Sequence, residues 1–198
     1  MSDEAREQLF ANTSRLTEWL RQHAQKPVAL MWIERVGIQK ESMSPDEIAA
    51  RLQDAAIYAE SELDIDAVIP IGDAFQIARE NVALRKIGTS PVGNLLYKDN
   101  AHLQAGLPSL LATYTTAAAI LQYYGLDAEC IERSTWVPTN ENVVKIRVNN
   151  VEGATFTHGL PEGVTPENVA LAKKIAIESV LNWPSSPRSV SAKQQDDA

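Results

Sequence analysis

Apolar and polar positions in the first two dozen residues recur with a helical period. Leu9, Thr13, Leu16 and Leu20 fall on one face, flanked by Phe10 and Trp19, which predicts a helix over residues 3 to 24 with that face inward. Pro27 stops it. Val28, Ala29, Leu30, Met31, Trp32 and Ile33 are then continuously apolar, the pattern of a strand covered on both faces in a parallel sheet. Residues 34 to 40 leave it as a loop. Ser44, Pro45, Asp46 and Glu47 form a capping box with proline at the first helical position. The helix it opens carries Ile48, Leu52, Ala55, Ala59 and Leu63 at helical spacing. Residues 67 to 71, AVIPI, read as a second buried strand, and Gly72 and Asp73 as a tight turn and cap into a short helix.

A polar, glycine-containing loop follows over residues 86 to 100, longer than a connector needs. A third long helix is predicted over 103 to 124, with Leu107, Leu110, Leu111, Tyr114, Ala118 and Leu121 inward and Gly125 as its stop. Residues 143 to 148 and 154 to 157 are further strand positions. Thr165, Pro166 and Glu167 start a last helix bearing Val169, Ala172, Ile175, Ala176 and Val180, which Pro184 ends. Strands alternating with helices predict an α/β fold with a parallel sheet. The predicted organisation is one domain over 1–183, with a core half to 126 and a C-terminal extension over 127–183. The tail, 184–198, is too polar to repay its ordering entropy.

Composition narrows the function classes. With 44% hydrophobic residues in 198, the chain can bury a full core. A net charge of -8 without a basic stripe argues against a nucleic-acid partner, because phosphate binding needs clustered Lys and Arg. Cys130, the sole cysteine, has no thiol to pair with and reads as a buried or spare group. Thr113, Thr115, Thr116 and Gln122 interrupt the most apolar stretch, so it reads as a buried helix and no membrane partner is expected. MSDEAREQLF lacks the basic start and apolar run of a secretory signal, which makes the chain as written cytoplasmic. No phosphate loop, zinc motif or nucleotide fingerprint is found, and no cofactor or metal is expected.

The segment YKDNAHL at 97–103 contains D-x-x-H, with Asp99 and His102 ahead of an apolar helix. A carboxylate there can accept the Nδ1 proton of the imidazole, fix its tautomer and leave Nε2 facing a nucleophile, the orienter and base of a serine hydrolase. The other reading makes Asp99 or Asn100 a cap of the following helix. Trp32 and Glu34 end the first strand, at the edge where open α/β sheets bind ligands. They read either as substrate contacts or as core packing and a solvated carboxylate. His23 and His158 have no partners at metal-ligand spacing. Ser42, Ser44, Ser61, Ser90 and Ser109 read as caps or surface residues, none on a strained strand-to-helix elbow.

AVIPIGDAFQIAREN at 67–81, DNAHLQAGLPSLLATY at 99–114 and GVTPENVALAKKIAIESV at 163–180 resemble an uncharacterised, bacterial branch of the SGNH (GDSL-like) hydrolase superfamily. The resemblance covers roughly residues 25 to 183. It implies a partial flavodoxin-like parallel sheet with flanking helices and the N-terminal strands missing. It also implies that Asp99 orients His102, the general base, in an enzyme that cleaves acyl esters such as an O-acetyl group on a carbohydrate. Members of the superfamily begin with a strand leading into a GDS-type turn whose serine attacks, followed by a glycine and an asparagine that complete the oxyanion hole. No such block precedes Val28. Gly72, Asp73 and Ala74 follow a strand, but alanine stands where serine would, and too few residues separate them from Asp99. The expectation is therefore a fragment, or a chain that needs a partner, with weak or no esterase activity, whose full-length relatives are secreted or periplasmic. The alternative is a non-enzymatic binding or assembly module that pairs its sheet edge with another chain, a second copy included.

Overall fold

Ala29–Trp32 (β1) and Ala67–Pro70 (β2) pair in parallel, Ala29 opposite Ala67 and Trp32 opposite Pro70. They belong to a computed structural model that describes residues 3–24, 27–32, 45–63, 65–81, 84, 106–133 and 164–184. Parallel strands need a crossover, and Pro45–Glu62 (α2) lies in it. Around this pair stand Asp3–Ala24 (α1), Ile71–Glu80 (α3), Leu107–Tyr123 (α4), Cys130–Arg133 (α5) and Pro166–Leu181 (α6). The class is α/β, with a two-stranded sheet among the described residues. The strands expected at 143–148 and 154–157, the loop at 86–100 and the tail after 184 lie outside those residues.

Every residue of β2 is buried, as its unbroken apolar run predicts. β1 differs from expectation: Leu30 is half-buried and Trp32 buried, but Ala29 and Met31 are exposed. A continuous apolar run shows that a strand is hydrophobic but not that both faces are covered, and β1 has β2 on one side only among the described residues. The main core joins β2 to α3, α4 and α6 through Ile69, Phe75, Leu111, Ala118, Val169 and Ile175. A smaller cluster, Trp32, Ala56, Val68 and Trp183, packs α2 against the strands.

Helix ends follow local chemistry. Thr165 caps α6 as predicted, its Oγ1 accepting from the Asn168 amide, with Pro166 at the first position. Gly125, at φ 68°, closes α4 in a Schellman turn: Leu126 N–H donates to the Leu121 carbonyl and Gly125 N–H to that of Gln122. Two starts differ from expectation. α3 opens at Ile71 directly after Pro70, which has no amide proton to lose, so Gly72 and Asp73 sit inside the first helical turn and do not cap it. α4 opens at Leu107 behind Gly106, whose φ of 98° and ψ of −127° suit only glycine. Asp99 and Asn100, the expected caps, lie outside the described residues.

α1 is rotated from its predicted register. Leu16 and Trp19 are exposed, Thr17 is buried, and Phe10, Thr13 and Leu20 are half-buried. Two contacts set that rotation, the Phe10 ring 4.4 Å from that of Tyr58 and the Arg21 guanidinium bonded to Asp66.

Ala119 and Gln122, near the end of α4, line one recess with Ala67 and Val68 at the start of β2. α4 also packs along β2 and against α3, which leaves β2 at its carboxyl end. From Ala119 back to Leu107 the helix spans about 18 Å, against about 10 Å for β2 from Ala67 to Pro70. The last turns of α4 thus lie beside the amino end of β2.

Candidate functional site

At those carboxyl ends the parallel register sets Trp32 beside Pro70, and the chain turns at once into α3. Trp32, 5% exposed, packs against the start of that helix. A Cβ on residue 72 would overlap the indole ring, so only glycine admits it. The indole Nε1–H donates to Asp73 Oδ2 at 2.9 Å, and the Gln53 amide of α2 donates to Oδ1. One carboxylate thereby joins β1, α2 and α3.

Asp73 is only half-buried, yet burial pushes its carboxyl up to about 6 from the ordinary 3.8, against the lowering effect of the Trp32, backbone and Gln53 N–H groups. Both side-chain donors are neutral. A carboxyl in this state exchanges its proton near neutrality, a range in which acids and bases of enzymes work.

Of the residues singled out from sequence, Trp32 is a packed and hydrogen-bonded member of this edge. Asp99, His102 and Glu34 lie outside the described residues, as does His158. Asp73 and Gln53 were not legible as partners of Trp32. The signal exists only once the two strands are registered in parallel, since 41 residues separate Trp32 from Asp73. Comparison with protein-family models, with curated proteins and with solved structures found no match.

The amino ends of the strands carry a different polar arrangement. Asp66, 3% exposed, accepts from the Arg21 guanidinium and from the Val28 amide, both at 2.8 Å, just before β2 begins. Buried Glu60 accepts the Trp183 indole N–H at 2.9 Å. The recess beside Glu60 and Trp183 has room for about one water, too little for a substrate. These are structural ties.

Among the described residues no group of three or more His, Cys, Asp or Glu side chains can hold a metal ion. The described serines, Ser14, Ser61, Ser109 and Ser179, all sit within helices, and Ser61 and Ser179 donate to carbonyls of their own helices. None occupies a strand-to-helix elbow. Cys130 is exposed, which makes it the spare thiol of the two readings. His23 stacks on Trp19 and bonds its carbonyl at 2.8 Å. No described helix is long and apolar enough to cross a membrane.

Proposed function

We propose that the chain is an SGNH-hydrolase-like protein, related to esterases that remove acyl groups such as O-acetyl from carbohydrates, and that it has little or no turnover by itself. Asp99 and His102 are its proton-handling couple. What supports this reading is the place of α4, which packs on β2 with its last turns beside the amino end of that strand, opposite the ends where open α/β sheets bind ligands. His102 precedes Gly106 by four residues, a tether of at most about 14 Å.

In this reading Asp99 accepts the Nδ1 proton, His102 Nε2 takes the proton of an attacking hydroxyl, and Asp99 steadies the imidazolium that results. The positions of the four described serines are the reason for expecting weak turnover. Trp32, fixed at the same edge, and Glu34, two residues on, are the proposed substrate-side residues.

Proton NMR titration tests the couple directly, because the chain has only three histidines. Replacing Asp99 by Asn removes a charge from beside the ring, so the His102 pKa is expected to fall by about one unit or more. An unchanged titration refutes the proposal. Hydrolysis of p-nitrophenyl acetate at about 1 s⁻¹ or faster, lost in His102→Ala, would show a nucleophile within the chain and overturn the expectation of weak activity.

One observation favours a second reading, that of an assembly module: β1 exposes Ala29 and Met31, the latter at 46%. An open strand face invites pairing. Light scattering would then report a dimer that Met31→Asp converts to monomer, and a monomeric parent protein would remove this reading.

A further inference from the structure

We infer that Asp73 is a positioning residue of the carboxyl edge, its two oxygens and the Gln53 amide holding the Trp32 ring of β1 against Gly72 at the start of α3. The functional meaning of this clamp rests on the ester-cleaving reading above, in which that edge faces the substrate. Its geometry stands by itself.

Three features support it. The Trp32 ring occupies the space a side chain at 72 would need, so the ring has one seat and the seat requires glycine. The polar end of that ring is committed to Asp73 Oδ2, which fixes its rotation as well as its position. The other oxygen is committed to Gln53, whose amide can turn to present either an N–H or a carbonyl oxygen. With Asp73 ionised, both oxygens accept. With Asp73 protonated on Oδ1, the new O–H donates to the turned Gln53 carbonyl, while Oδ2 goes on accepting from the indole. Gln53 thus satisfies both protonation states, and Trp32 keeps its seat in each.

A Lys or Arg in the place of Gln53 would hold the carboxylate charged, and an apolar residue would leave it unsatisfied in one state. Glutamine is the side chain that tolerates the exchange. Among the described residues, the groups bonded to Asp73 are Trp32 of β1, Gln53 of α2 and the backbone of α3, all neutral.

The test follows the four tryptophan indole N–H signals in the full chain by nitrogen-15 NMR, with the Trp32 signal identified by its loss in Trp32→Phe. In the parent protein the Trp32 signal should move with pH about a midpoint near 6. Asp73→Asn retains an acceptor, so the signal should keep its hydrogen-bonded position and cease to titrate. Asp73→Ala should shift it toward the position of the exposed Trp19 indole. Gln53→Ala removes a donor to the carboxylate and should raise the midpoint. The Trp183 signal, bonded to Glu60, reports at fixed pH whether each variant keeps its fold.

A Trp32 signal that is independent of pH between 4.5 and 8, or a titration that survives in Asp73→Asn, overturns the inference. Should Asp73→Ala fail to fold, Asp73→Asn and Gln53→Ala decide it. The His102 titration on the same samples separates the two proposals. A Trp32 response without an effect of Asp99→Asn on His102 removes the hydrolase reading and keeps the clamp, and the reverse pattern removes the clamp alone.

Discussion

Gly72→Ala sets two physical effects against each other. In an exposed helix the substitution stabilises by up to about 1 kcal/mol, because alanine loses less backbone entropy than glycine. Here the new methyl group enters the Trp32 ring. Overpacking a filled site costs about 1–3 kcal/mol, and a ring pushed from its seat also loses the bond from Nε1 to Asp73, about 1.5–3 kcal/mol for a charged acceptor. The loss exceeds the gain, for a net destabilisation of about 3 kcal/mol. In a chain of this size that lowers Tm by roughly 6–12 °C. Urea unfolding monitored by far-UV circular dichroism measures it. A variant as stable as the parent, or more so, would mean that the helix-propensity effect prevails and that Trp32 does not lie on Gly72. The cause is isolated by repeating the substitution in Trp32→Leu, where the smaller side chain leaves room and the penalty should fall to within about 1 kcal/mol of zero.

Asp73 makes stability depend on pH with a sign opposite to that of a salt-bridged carboxylate. Its folded pKa of about 6 lies above the ordinary 3.8, so between those values the folded chain holds more protons than the unfolded one and stability falls as pH rises. The difference in unfolding free energy between the parent and Asp73→Asn should therefore slope downward from pH 4 to 6 and level off above; a difference that is flat or rises in that window contradicts the assignment. Asp66→Ala strips the Arg21 guanidinium and the Val28 amide of a shared acceptor and should cost about 3 kcal/mol in urea unfolding, with Asp66→Asn, which still accepts, costing less. Equal losses in the two variants would count against the shared-acceptor account. Gly125→Ala meets no atom within 4 Å, so its cost is that of a left-handed backbone alone, about 1–2 kcal/mol; a thermal scan showing no loss would contradict the Schellman end of α4.

Much of the architecture was legible because it rests on local rules. The Thr-Pro-Glu start of α6, the glycine end of α4, and the helix–strand–helix–strand–helix order from residue 3 to 80 all follow from spacing and caps within a few residues. The departures occur where distant residues decide. α1 turns Leu16 and Trp19 outward and presents Arg21 to Asp66, 45 positions away. α3 takes Gly72 and Asp73 into its first turn because the ring of Trp32 needs the one and its indole N–H needs the other. A turn propensity for glycine-aspartate was the correct local expectation, and the parallel register overrode it. For the candidate site, sequence brought forward Trp32 but not its carboxylate. The D-x-x-H segment was legible only as a pattern, and it lies outside the described residues.

The two ends of this small sheet put the same side chain to opposite use. At the amino end Asp66 is almost wholly buried, with a guanidinium and a backbone amide supplying positive partners. At the carboxyl end Asp73 is only half-buried, and its donors are neutral. A fold seeking stability alone would place a cation beside it or exchange it for asparagine, which fits the same bonds without the cost of a desolvated charge. Burial without a cationic partner raises the Asp73 carboxyl to about 6, whereas Asp66 has a guanidinium beside it. The two carboxylates of one small sheet are thus set apart by their burial and by the charge of their partners.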